Sequence, residues 1–438
     1  MTHGTDGNPP IRDVLFDSEK PSSGVGGAGD SAASHAPDSA FAPVSSSNMK
    51  STLDEELLTL EKAGLKRVLR PMTQRRSGTV QIDNHRVADF ASNDYLGLAA
   101  DPRVARAATA VLQAEGTGAG AARLISGHHP IHDALENEIA AFKQCERALL
   151  FPAGYMANVG TIPALARAGD VIYSDTNNHA SIVDGCRLSH ATKRVFPHGD
   201  VDALRSMLHA DRGQFRRSLI VVEGVFSMDG DTFPLDDLVA LARVFKAWTY
   251  VDDAHGTGVL GRTGRGTPEH FGVSGEIDVV MGTLGKALGT VGAYVAGSRS
   301  LIDYLISSAR AFIFTTGTPP AMAAATLEAL HIARSEPWRR EAVRDRAQQL
   351  RDRLRDGGRP TVGMPTAHII PVMIGDPMLT MAIVRDMRRR GFLVGGVRPP
   401  TVPEGTSRLR ISVSALHPTE LVDTFAASLL EAMRGVVS

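Results

Sequence analysis

Five short apolar runs recur between residues 148 and 281, and they constrain the fold more than any other feature of the chain. They are Ala148-Leu149-Leu150-Phe151, Asp170-Val171-Ile172-Tyr173, Ser218-Leu219-Ile220-Val221-Val222, Thr249-Tyr250-Val251-Asp252 and Asp278-Val279-Val280-Met281. None alternates apolar with polar, so each reads as a strand buried on both faces. The spacing between runs leaves room for crossover helices, the connection that parallel neighbours require. The expected fold class is α/β, with a large, mainly parallel-sheet domain over residues 101–330.

The flanks read differently. Residues 1–50 are rich in Ser, Gly, Ala, Pro and Asp and poor in large apolar side chains, so a disordered N-terminal tail is expected. An N-terminal segment, 51–100, opens with an amphipathic helix carrying Leu53, Leu57, Leu58, Leu60 and Leu65. A short hairpin follows, 79–82 and 87–90, across Asp83-Asn84. Beyond residue 330, charged helical sequence at 334–355 leads to strands at 369–374 and 408–413 and helices near 380–390 and 419–433. That mixture predicts a smaller C-terminal α+β domain, 331–438.

Composition removes several function classes. Net charge is -1 over 438 residues, so no global field favours nucleic acid or an anionic membrane surface. Two cysteines, Cys145 and Cys186, cannot build a disulfide framework, and no Cys/His spacing suits a metal. No uncharged stretch is long enough to span a bilayer, and the N-terminus lacks a basic flank followed by an apolar run. A cytoplasmic protein without a metal is expected.

The chemistry concentrates where strands end. Thr283-Leu284-Gly285-Lys286-Ala287-Leu288-Gly289 follows a buried strand. A lysine there is costly unless its charge is removed or its amine is covalently engaged, and an aldehyde cofactor engages an amine as an imine. An isolated lysine in an exposed loop is the plainer reading of this motif alone. Val251-Asp252-Asp253-Ala254-His255-Gly256 ends another strand, and a carboxylate there can pair with a protonated pyridine nitrogen. An Asp-rich metal site or a simple turn would need other ligands nearby or none. Pro152-Ala153-Gly154-Tyr155-Met156-Ala157-Asn158 has the strand, small-residue, helix order of a backbone phosphate cradle.

With these in order, the chain from about residue 51 to 433 resembles the α-oxoamine synthases, fold-type I pyridoxal-phosphate enzymes. The resemblance rests on Ser92-Asn93-Asp94-Tyr95-Leu96-Gly97-Leu98, Gly116-Thr117-Gly118-Ala119-Gly120 and Asn178-His179-Ala180-Ser181. It rests further on Glu223-Gly224-Val225-Phe226-Ser227-Met228-Asp229-Gly230-Asp231, on Asp252 through Val259, and on the Lys286 motif. Arg398-Pro399-Pro400-Thr401-Val402-Pro403 and Arg408-Leu409-Arg410 complete it. One departure is Ala153, where the family often has Ser, which removes one side-chain phosphate contact.

The resemblance implies roles. Lys286 holds pyridoxal 5'-phosphate and moves the α-proton; Asp252 pairs with the ring nitrogen; His255 and Ser227 contact the phenolic oxygen. His179 stacks over the ring, and Thr283 with the backbone of Gly154 and Tyr155 binds phosphate. Thr315 or Thr316 reaches the phosphate of a neighbouring subunit, which implies a homodimer. Arg410 and Asn93 belong to the amino-acid site, Arg398 and Thr401 to the substrate entrance, and Arg67 or Arg70 is expected to contact the acyl chain. Arg408 is assigned to structure.

The Arg398-Pro399-Pro400 segment points within the family to condensation of L-alanine with pimeloyl-CoA or a pimeloyl carrier protein. Serine- or glycine-using relatives, a plain aminotransferase and a non-catalytic subunit are the alternatives. The last normally lacks the lysine, which is present here.

Overall fold

A computed structural model of the chain describes residues 46–361 and 367–437. Of the tail expected to be disordered over residues 1–50, residues 1–45 lie outside the described residues, and 46–50 form the start of a helix instead. The first helix, Ser46–Lys62, leaves Leu53, Leu57, Leu58 and Leu60 exposed.

Strands β1 (Thr73–Arg76), β2 (Thr79–Ile82) and β3 (His85–Asp89) follow. β2 and β3 pair antiparallel with Ile82 opposite His85, so the turn is only Asp83-Asn84. Both turn residues have positive φ, 48° and 63°, which Asp and Asn tolerate best after glycine and which suits a two-residue hairpin. Strand β3 therefore starts two residues earlier than the apolar pattern from Val87 indicated.

The large sheet comprises β4 (Arg147–Phe151), β5 (Val171–Asp175), β6 (Thr192–Phe196), β7 (Ser218–Glu223), β8 (Trp248–Asp252), β9 (Val279–Thr283) and β10 (Ala293–Gly297). Their spatial order is β4-β10-β9-β8-β7-β5-β6. All five apolar runs are strands in it, and every pairing from β9 to β6 is parallel. Two strands of the sheet are not among the five runs. β6 reads Thr-Lys-Arg-Val-Phe and lies at the sheet edge, where one face stays wet. β10, Ala-Tyr-Val-Ala-Gly, is buried throughout and runs antiparallel to both β4 and β9. Only residues 284–292 separate β9 from β10, too short a connection for a parallel crossover.

The C-terminal part contributes β11 (Ile369–Gly375), β12 (Phe392–Leu393), β13 (Gly395–Val397) and β14 (Ser407–Ser412). A three-stranded sheet has the order β11-β14-β13, while β12 pairs parallel with β3, joining the early hairpin to this part of the chain. The adjacent parallel strands β7, β8 and β9 end at Glu223, Asp252 and Thr283. Those carboxyl ends are where open α/β sheets place ligands.

Candidate active site

Lys286 follows β9 and places its Nζ 2.8 Å from His255 Nε2. Burial pushes its ammonium down to about 8, against the pull of the Asp252 and Glu223 carboxylates; Arg410 adds to the depression. His255 is buried and sits well below the usual histidine range, first through burial and then through the charges of Lys286 and Arg410. A neutral imidazole therefore faces an amine far easier to deprotonate than an ordinary lysine.

Asp252 closes β8 and is buried. Its Oδ1 accepts from the Ala254 N–H at 3.0 Å and its Oδ2 from Asn158 Nδ2 at 2.8 Å. Asn158 Nδ2 also donates to Ser181 Oγ at 2.8 Å, while its Oδ1 accepts from the Tyr250 hydroxyl at 2.7 Å. Ser181 Oγ lies 2.8 Å from His179 Nδ1, which also accepts from the Ser181 N–H and so caps the helix Ala180–Leu188. Burial lowers the His179 pKa. Asp252 and His179 are thus the ends of one hydrogen-bonded chain through Asn158 and Ser181. Sequence reasoning gave neither link a role. Asn158 stands four residues after Gly154, on the same helical face, and that spacing was the available signal.

Glu223 was also missed. It lies opposite Asp252 in the β7–β8 register and is buried. Its Oε1 has no hydrogen-bond partner among the described residues. Burial, and then the Asp252 charge, raise its pKa well above the usual carboxylate range. Asp252 has two hydrogen-bond donors on its carboxylate and Glu223 Oε1 has none among the described residues, so Glu223 is the member of the pair whose proton is the harder to remove.

The helix Gly154–Leu165 begins at Ala153 with no side-chain cap, leaving its first N–H groups to another acceptor. A Cβ built on Gly154 would stand 3.9 Å from Thr283 Cβ, so the helix start faces the end of β9. Thr283 Oγ1 donates to the Gly292 carbonyl at 3.1 Å and accepts from the Gly285 N–H at 3.4 Å. Tyr155 is exposed and hydrogen-bonded to Asp184.

Arg410, on β14, donates to the Ser227 carbonyl at 2.5 Å, to Ser412 Oγ at 3.1 Å and toward the Tyr95 hydroxyl at 3.4 Å. Tyr95 hydroxyl lies 2.7 Å from His255 Nδ1 and donates to Asn93 Oδ1 at 3.0 Å. Arg408 instead pairs with Asp229. Lys286, His255, Asn93, Ser227 and Arg410 therefore form one hydrogen-bonded group, and Asp252 and His179 another, the two meeting through the charges of Lys286 and Asp252. Arg67, Thr401 and Arg398 form a separate group: Arg67 reaches Thr401 Oγ1 at 3.3 Å, and Arg398 holds the Gly64 carbonyl at 2.9 Å. No hydrogen bond ties Thr315 or Thr316 to the Lys286 cluster among the described residues; Thr316 bridges to Ala122.

Residues 85–429 match the family model described as aminotransferase class I and II. The chain belongs to that family, in its α-oxoamine synthase branch. It is similar to the 8-amino-7-oxononanoate synthase of Alkalilimnicola ehrlichii, 49% identical over 79% of this chain and 88% of the relative. The enzyme of that name from Geobacter sulfurreducens is 48% identical over 84% and 94%. Among solved structures, serine palmitoyltransferase of Sphingomonas wittichii superposes with a TM-score of 0.83 at 30% identity, over 89% of this chain and 98% of that one. The 8-amino-7-oxononanoate synthase of Francisella tularensis gives 0.70 at 26% identity, over 80% and 99%. For this member of the α-oxoamine synthases, the strand-end cluster around Lys286 is the candidate active site.

Proposed function

We propose that this chain condenses L-alanine with a pimeloyl thioester, releasing CO2 and free thiol, to give 8-amino-7-oxononanoate, the biotin-pathway product named by its relatives. The observation that carries the reading is a depressed amine, Lys286, beside neutral His255 and with the buried Asp252 carboxyl near it, all at the ends of adjacent parallel strands.

The donor set fits pyridoxal 5'-phosphate. Asp252, a carboxyl oriented by hydrogen bonds from Asn158 and Ala254, suits a pyridinium nitrogen. The uncapped helix start opposite Thr283 suits a phosphate. Lys286 would hold the cofactor, His255 and Ser227 would flank its phenolic oxygen, and Gly154, Tyr155 and Thr283 would receive its phosphate. When bound, the cofactor supplies an electron sink for charge at the substrate α-carbon.

The chain's own residues do the rest. Arg410 and Asn93 bind the amino-acid carboxylate. The Lys286 amine, neutral for an appreciable fraction of the time near pH 8, removes and returns the proton at the α-carbon. Asp252 would keep the cofactor's ring nitrogen protonated, and His179, anchored through Ser181, helps place the substrate. Arg67, Thr401 and Arg398 line the entrance for the acyl thioester.

The working form is a cytoplasmic homodimer. Ile125 and Phe314, 81% and 70% exposed, stand on segments joined by the Ala122–Thr316 bridge, an apolar patch suited to a second copy. Thr315 and Thr316 would then complete the second copy's phosphate site. No helix among the described residues is long and apolar enough to cross a membrane.

The test is the absorption spectrum of purified protein, titrated with L-alanine and then pimeloyl-CoA, with CO2 and product followed. A visible imine band that responds to alanine, and product formation lost in Lys286→Ala, are expected. Full turnover in that variant would overturn the mechanism. Response to serine or glycine instead would keep the family and change the substrate, and no band at all would favour a non-catalytic role.

A further inference from the structure

Tyr95 has no part in the chemistry above, yet its hydroxyl touches three groups that do. It lies 2.7 Å from His255 Nδ1, 3.0 Å from Asn93 Oδ1 and 3.4 Å from Arg410 Nη2. The side chain is fully buried, and the ring of His368 packs edge-on against it with centroids 4.0 Å apart. These contacts join segments as far apart as residues 93, 255 and 410.

A phenol has one proton to donate and two lone pairs to accept with. The Arg410 guanidinium can only donate, so it takes one lone pair. A Lys286 ammonium beside His255 Nε2 must likewise donate, which makes Nε2 the acceptor and leaves the proton of the neutral ring on Nδ1. Nδ1–H then donates to the second lone pair. The single phenolic proton is left for Asn93 Oδ1, the direction in which that bond runs. Every slot on the hydroxyl is filled once. Asn93 is thereby turned so that its amide N–H groups, and not its carbonyl, are what it can offer a carboxylate beside Arg410.

We propose that Tyr95 is a positioning residue of this site, whose hydroxyl sets the tautomer of His255 and the amide orientation of Asn93 and so couples the carboxylate pocket to Lys286. The value of this coupling for catalysis rests on the function proposed above; the tautomer assignment does not. Occupation of Arg410 by a carboxylate draws on a guanidinium that also donates to Tyr95, so binding is felt at the imidazole facing Lys286.

Tyr95→Phe keeps the ring and its packing and removes only the hydroxyl. In full-length protein labelled with nitrogen-15 histidine and stripped of cofactor, His255 of the wild type shows a protonated Nδ1 and a bare Nε2. In Tyr95→Phe, Nδ1 loses its buried partner and the signal moves to a mixture of tautomers. In the loaded enzyme the same change shifts the pH titration of the imine band and raises KM for alanine about tenfold, the usual consequence of one lost neutral hydrogen bond. Asn93→Ser raises KM comparably while leaving the His255 nitrogen signals in place. A His255 signal unchanged by Tyr95→Phe, or a wild-type ring protonated at Nε2, overturns the proposal. A purely structural role would lower stability without moving the nitrogen signals or the titration. If the wild type takes up no cofactor, the functional reading fails while the nitrogen spectra still decide the role of Tyr95.

Discussion

Lys286 is expected to be the most reactive lysine of the cofactor-free protein near neutral pH. Its ammonium sits among buried groups, 2.8 Å from a neutral imidazole, and falls from the usual 10.5 to about 8. At pH 7 that raises the neutral, nucleophilic fraction about 300-fold over an ordinary lysine. Competitive acetylation of stripped protein over a pH series, read by peptide mass spectrometry, measures this directly. Reaction at Lys286 should climb about tenfold per pH unit below pH 8 and level off above it, while surface lysines are still climbing. The origin of the shift is tested by removing the opposing charge. Burial lowers the pKa, and of the two carboxylates that pull it back up Asp252 acts more strongly than Glu223, so Asp252→Asn should move the midpoint further down. A wild-type midpoint above about 10, the ordinary lysine range, or an upward move in Asp252→Asn, would refute the account.

Three further expectations concern the surroundings. Lys143 and Asp253 are 2.7 Å apart with side chains 2% and 0% exposed, and Thr257 and Thr267 also donate to the carboxylate. Lys143→Met leaves that carboxylate without its counter-charge and should cost about 3–5 kcal/mol in urea denaturation; a loss below about 1 kcal/mol would contradict a buried pair. His198 bridges Asp175 at 3.0 Å and Asp231 at 2.5 Å, hydrogen bonds that raise it from 6.5 to about 10. Because the folded value is the higher one, its stabilisation is complete below pH 6.5 and is lost as pH rises toward 10; His198→Gln should flatten that decline, and unfolding midpoints across the window will show whether it does. Asn158→Ala removes a donor to the buried Asp252 carboxyl, a bond of about 1–1.5 kcal/mol, and should weaken pyridoxal-phosphate binding about tenfold in an absorbance titration. Unaltered binding would show that Asp252 does not need that support.

The amino-acid order alone was enough to read the class of fold and the type of chemistry. Continuous apolar runs announce doubly buried strands, because burial on both faces is demanded at every position of such a strand. The residues just after those runs must then sit at strand ends, which is why Asp252 and Lys286 could be singled out without a structure. Even the Asp83-Asn84 turn is a local matter, decided by which residues accept positive φ.

What escaped that reading depends on contacts between distant segments. The reversal at β10 follows from how short the connection after β9 is, but its place between β4 and β9 is decided by pairing over some 140 residues of sequence. The Glu223 carboxyl is pushed above the usual carboxylate range only because strand register buries it beside Asp252. Asn158, Ser181 and Tyr95 acquire roles only when folding brings partners 94, 23 and 315 positions away within hydrogen-bond reach. Residue types settle which reactions are available to this chain. Tertiary packing settles which groups carry protons at working pH, since a pKa depends on burial and on the neighbouring charges, and neither exists until the chain has folded.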